Sequence, residues 1–137
     1  MSKDREKTHL TAKFYVMSML HRKGVNPFLI TGNKKVGDII IAQNDDTYLT
    51  IDVKGALRPL MPLIKYEYRK SDTHYYVFVC YMGKFGDMSV TPEVYIVPSK
   101  DIGTLVKKNP EKRIAGIAYK KFKERAQKYK DRWDVFV

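Results

Sequence analysis

The stretch Val36-Gly37-Asp38-Ile39-Ile40-Ile41-Ala42, continued after a short turn by Tyr48-Leu49-Thr50-Ile51-Asp52-Val53-Lys54-Gly55, decides how this chain reads. Two apolar runs are joined by Asn44-Asp45-Asp46, residues with turn chemistry. In the second run the residue types alternate. Leu49, Ile51 and Val53 fall on one face of a strand, and Tyr48, Thr50, Asp52 and Lys54 on the other. Asp52 and Lys54 therefore point the same way, about 6.6 Å apart along the strand. The turn predicts that this strand returns antiparallel beside 38–43. Asp38 opens the first strand and is expected next to the end of the second.

This placement suggests a chemistry. Two carboxylates, a few waters and phosphate oxygens suit a hard cation such as Mg²⁺ or Mn²⁺. Asp38 and Asp52 are the candidate ligands, with a backbone carbonyl near Val53 as a third. A cation there activates water and neutralises phosphate charge, and Lys54 assists the attacking water or the transition state. The pattern is that of metal-assisted phosphodiester cleavage. The ordinary alternative stands beside it: an isolated Asp-x-Lys on a strand is more often a solvated surface pair, and Asp38 alone is a plausible strand-end residue. Specificity comes from the whole arrangement, in which a helix precedes an Asp that opens an apolar strand, and a turn leads to a second strand ending in Asp-x-Lys.

Gly37-Asp38-Ile39-Ile40-Ile41 and Ile51-Asp52-Val53-Lys54 together resemble the two halves of the motif of the PD-(D/E)XK nuclease superfamily. The context is closest to the small archaeal Holliday-junction resolvases, including a Gly-rich basic loop before the motif, Gly32-Asn33-Lys34-Lys35. The resemblance is firmest over residues 10–55. It implies an α/β, restriction-endonuclease-like fold with a central mixed β-sheet flanked by helices. It further implies metal-dependent cleavage of DNA, with branched DNA the expected substrate, and often a homodimer whose two copies cut two strands symmetrically. Asp38 and Asp52 then carry over as metal ligands and Lys54 as the catalytic lysine. Three departures stand out. Gly37 replaces the name-giving proline, Asp52 replaces the commoner Glu, and the first helix offers Lys13 where many members place a metal-facing Glu. Glu6 lies about 10 Å further along the helix axis. The third departure raises an alternative: a degenerate nuclease fold that binds DNA without cutting it.

The net charge of +11 points to a polyanionic partner, nucleic acid in preference to membrane. Besides Lys34 and Lys35, the expected phosphate contacts are Arg58, Lys65 and Arg69 in the excursion after the motif, and Lys120, Lys121 and Lys123 near the C-terminus. The remaining alternative is a structural or partner-binding basic protein whose charge serves solubility and whose Asp-x-Lys is incidental. With 137 residues, the chain is expected to form one domain, 1–137. No apolar run approaches a membrane span, and the charged N-terminus lacks the pattern of a signal peptide; a cytoplasmic protein is expected. Cys80, alone in an apolar strand, reads as a buried thiol. His9, His21 and His74 show no metal-ligand spacing, and His21 is expected at the surface.

The remaining pattern predicts a helix over 8–23 with Leu10, Phe14, Met17 and Leu20 facing the core, a strand over 28–31, and an irregular excursion over 55–74 with a helical turn at 62–68. Strands follow at 75–82, expected to be central, and at 94–97, with a turn at 83–87 between them. Ser99 is expected to cap a helix over 100–107, an edge strand over 114–119 to follow, and a basic helix over 120–132 to close the chain. In that helix Phe122, Ala126, Tyr129 and Trp133 are spaced for docking on the sheet, while the lysines read equally well as phosphate contacts or as a solvated face.

Overall fold

The computed structural model describes residues 3–31, 36–44, 46–59, 64–65, 70–109, 111 and 114–137. Helix α1 spans Lys3–Arg22, and the strands are β1 (Asn26–Leu29), β2 (Ile39–Ala42), β3 (Tyr48–Ala56), β4 (Ile64–Lys65), β5 (His74–Cys80), β6 (Glu93–Pro98), β7 (Lys107–Asn109) and β8 (Ile114–Gly116), followed by helix α2 (Tyr119–Arg125). The main sheet has the order β1-β2-β3-β5-β6. All its neighbours are antiparallel except β3 and β5, which run parallel. This is the expected α/β architecture, a mixed sheet flanked by helices.

The hairpin of β2 and β3 forms in the expected place, with Ile39 opposite Ile51 and Ala42 opposite Tyr48. Its turn is closed by the Gln43 N–H donating to the Thr47 carbonyl. The alternation read from the sequence sets the two sides of the sheet. Ile51, Val53, Val77 and Val79 join one buried cluster beneath α1, with Ile39, Ile41, Trp133 and Phe136. Tyr76, Phe78 and Cys80 face the other side, where Phe122, Ala126 and Tyr129 cover them. Each such aliphatic side chain contributes about 1.5–3 kcal/mol by leaving water.

Helix α1 departs from the expected stripe. Leu10 and Phe14 are about half exposed, and the face against the sheet is Thr8, Ala12, Val16 and Leu20. Ala12 lies two positions from both Leu10 and Phe14, roughly 200° around the helix. The reason is close approach: a Cβ added at Gly55 would lie 3.0 Å from the Thr8 carbonyl oxygen and 3.1 Å from the Ala12 Cβ. Leucine and phenylalanine do not fit between backbones that near, so small residues take the contact.

The excursion after β3 is also differently built. Ile64–Lys65 is a strand within the span 62–68 expected to be helical, and the rest of that span lies outside the described residues. It pairs with β8, which stands between β4 and β7 in a three-stranded sheet and is not at an edge. The Lys107–Asn109 strand has no apolar alternation to announce it. Ser99 opens a 3₁₀ helix, Ser99–Thr104, and makes no cap. Its hydroxyl instead accepts from the Ser71 N–H and donates to the Ser71 carbonyl, tying the end of the excursion to the end of β6. The expected helix over 120–132 stops at Arg125, because the chain turns back to the edge of β6. Lys130 bridges Tyr95, and the Asp131 N–H donates to the Val94 carbonyl. Phe122, Ala126 and Tyr129 are buried together against the sheet as expected, whereas Trp133 is buried on its other side, in the cluster beneath α1.

Candidate active site

Asp38 immediately precedes β2 and is 5% exposed. Its N–H donates to the Ile51 carbonyl at 2.7 Å. Its carboxylate oxygen Oδ2 accepts the Val53 N–H at 2.8 Å. The first acid is thus fastened to the backbone between Asp52 and Lys54. A buried carboxylate needs such a donor, since an unpaired charge out of water is costly.

Gly37 makes the approach possible. It has φ of +137°, and an added Cβ would lie 2.8 Å from the Ile51 carbonyl oxygen. Proline, fixed near φ of −65°, cannot adopt this backbone. The glycine in the motif is therefore a requirement of this hairpin.

Asp52 and Lys54 share the face of β3 that carries Tyr76 and Phe78 on β5, their partners in the parallel register. The Asp52 side chain is 28% exposed and its Oδ2 lies 3.0 Å from Nε2 of His74. Lys54 is half-buried and has no ion pair among the described residues. His9 of α1 brings Nε2 to 3.8 Å from Asp38 Oδ1, beyond hydrogen-bond length but within electrostatic reach. A helix residue beside the first acid is thus His9, four positions before Lys13 on α1.

The sequence reading also missed His74. Its imidazole is wholly buried, with Nδ1 2.6 Å from the Thr50 hydroxyl and Nε2 on Asp52. No spacing rule marks it, because it reaches Asp52 across the β3–β5 pairing. The one available signal was a histidine opening an otherwise apolar strand.

Among the described residues no group of three or more His, Cys, Asp or Glu side chains gathers in a metal-binding cluster. The donor set here is two carboxylates. It fits Mg²⁺ or Mn²⁺, which use one or two protein carboxylates and complete their shells with water and phosphate oxygens. Asp52 Oδ1 makes no hydrogen bond among the described residues, which leaves it available.

The basic residues divide. Lys120 and Lys121 are exposed on α2. Through Phe122 stacked edge-on against Phe78, that helix lies over the same sheet face as Asp52 and Lys54. Lys123 is committed elsewhere, with Nζ 3.3 Å from Glu93 Oε2. Burial opposes the Glu93 charge, but hydrogen bonds from Tyr95, Lys123 and Tyr119 hold its carboxyl below the ordinary value. Lys123 is therefore a weaker candidate for phosphate contact than the exposed Lys120 and Lys121. Arg58 is exposed on the bend after β3. Lys34, Lys35, Arg69 and the Lys65 side chain lie outside the described residues.

The fold has a solved counterpart. The structure of a bacterial homing endonuclease, I-Ssp6803I, superposes with a TM-score of 0.54 over 95% of this chain and 90% of that one, at 12% sequence identity. A likeness at that identity shows the fold. No protein-family model matches the chain, and no curated protein matches it by sequence. Among the described residues no helix is long and apolar enough to cross a membrane.

Proposed function

We propose that this chain is a metal-dependent DNA endonuclease of the PD-(D/E)XK kind. The observation that carries the reading is the hydrogen bond from the Val53 N–H to the Asp38 carboxylate, which locks the first acid onto the segment bearing Asp52 and Lys54. A surface Asp-x-Lys has no reason to recruit a second, buried carboxylate to its own backbone. In this reading Asp38, Asp52 and a backbone carbonyl near Val53 hold Mg²⁺ or Mn²⁺. The bound cation supplies Lewis acidity for phosphodiester hydrolysis. Lys54 stabilises charge developing on the phosphate or orients the attacking water. The net charge of +11 and the exposed Lys120 and Lys121 beside the acid-bearing face support a DNA substrate. Resemblance favours branched DNA, cut by a homodimer.

The test is cleavage of labelled four-way junction, flap, duplex and single-stranded DNA in Mg²⁺, Mn²⁺ or EDTA, beside Asp52→Asn. Cutting that requires both metal and Asp52 is the expected result; cutting by Asp52→Asn at the normal rate sinks the site. One observation favours a second reading, a nuclease fold that binds without cutting: the side chain seen approaching Asp38 from α1 is a histidine and not an acid, and Lys13 stands where many members of the resembled family place a Glu. Its mark is steeply salt-dependent binding with no cleavage in any divalent metal.

A further inference from the structure

We propose that His74 is a positioning residue that aims the Asp52 carboxylate, with Thr50 holding the imidazole in place. The inference rests on the reading of Asp52 as a metal ligand. Thr50 is opposite His74 in the parallel β3–β5 register, and Asp52 lies two residues further along β3. The ring spans that interval, touching the Thr50 hydroxyl with Nδ1 and Asp52 Oδ2 with Nε2. It is sealed from solvent, and Tyr76 packs edge-on against it at 5.1 Å between centroids.

The protons follow from donor and acceptor rules. An ionised carboxylate only accepts, so Nε2 must carry the proton on the Asp52 side. In the neutral ring Nδ1 then accepts, and the Thr50 hydroxyl donates to it. The result is a chain of donors running from Thr50 through His74 to Asp52. It fixes one carboxylate oxygen and leaves Oδ1 without a hydrogen bond among the described residues. Partners that orient a metal ligand in this way typically change metal affinity or activity by roughly 10–100-fold when removed.

The experiment has two parts, run on the full chain. Long-range ¹⁵N–¹H correlation on ¹⁵N-histidine-labelled protein reads the His74 tautomer. A proton on Nε2 with Nδ1 bare is expected; a neutral ring protonated on Nδ1 overturns the proposal. Calorimetric titration with Mn²⁺ then compares wild type, His74→Gln, His74→Phe and Asp52→Asn, each checked by thermal melting. The glutamine amide keeps a donor where Nε2 stood, so His74→Gln is expected to bind Mn²⁺ within a few-fold of wild type. His74→Phe keeps the ring volume without the donor and is expected to bind roughly 10–100-fold more weakly. Folded His74→Phe with wild-type affinity refutes the positioning role, provided that Asp52→Asn does weaken binding. Asp52→Asn with undiminished affinity refutes the metal-site reading instead. If His74→Phe does not fold, the tautomer alone decides.

Discussion

Gly37 offers the most direct check on how the hairpin builds the site. Gly37→Ala forces a side chain onto a backbone at φ of +137°, which L-residues avoid, and drives its Cβ to within 2.8 Å of the Ile51 carbonyl oxygen. Sparsely populated backbone conformations cost about 1–3 kcal/mol, and overpacking about 1–3 kcal/mol more. Partial relaxation leaves an expected loss of about 3 kcal/mol, or about 10 °C in melting temperature for a chain of this size. Relaxation has its own consequence. The crowded carbonyl is the one that accepts the Asp38 N–H, so moving it shifts Asp38 from the Val53 N–H. Melting and cleavage are therefore expected to fall together. Gly37→Pro, which restores the residue of the resembled motif, is expected to be worse, because its ring fixes φ near −65°. Scanning calorimetry and the cleavage assay on both variants test this. An alanine protein melting within about 2 °C of wild type would refute the strain argument, and a proline protein with wild-type stability would refute the backbone geometry itself.

Lys54→Ala is expected to abolish cleavage while DNA affinity stays within a few-fold; normal cutting by that variant would show the proposed site to be wrong. Glu93 predicts an acid limb of stability. Its folded pKa is lowered from 4.5 by hydrogen bonds from Tyr95, Lys123 and Tyr119, so its stabilisation is present above pH 4.5 and is lost as pH falls through the folded value. Urea unfolding between pH 7 and 3 reads the slope, which Glu93→Gln is expected to flatten; an unchanged slope counts against the network. Burial pushes the Cys80 thiol up to about 12 from 9.0. The native thiol is expected to ignore a disulfide reagent at pH 8 and to react once denatured. The same shift adds stability below pH 9.0 that is lost as pH rises toward 12, and rapid labelling of native protein would show that the thiol is not buried.

What could be read in advance follows from the range of each signal. The β2–β3 hairpin was readable because its alternation, turn and motif lie within one short stretch, and Asp38, Asp52 and Lys54 came with it. On α1 the apolar stripe meets the core at Met17 and Leu20 but not at Leu10 and Phe14, because hydrophobicity alone does not decide burial. Ala12 and Thr8 are weakly apolar or polar, yet they face β3 because Gly55 admits the helix so closely. Similarly, β7 has no apolar alternation and owes its existence to a ladder with β8. Ser99 has the local signal of a helix cap, yet its hydroxyl serves Ser71, 28 positions away.

The site divides the same way. Its acids and lysine are local in sequence, and so is the Val53 N–H that fastens Asp38, but the imidazoles beside the two acids come from elsewhere in the chain. His74 lies 22 positions from the carboxylate it contacts, and His9 arrives from α1. Which partner a titratable side chain finds is decided by strand order, and the parallel pairing of β3 with β5 is a long-range choice that a single sequence does not display. That pairing converts an isolated histidine at the head of an apolar strand into a donor that reaches Asp52. A lone buried polar residue in a strand adjoining a motif strand is therefore better assigned after the register is known. Here the register places its nitrogens between Thr50 and Asp52, and the tautomer of His74 is the quantity on which that assignment turns.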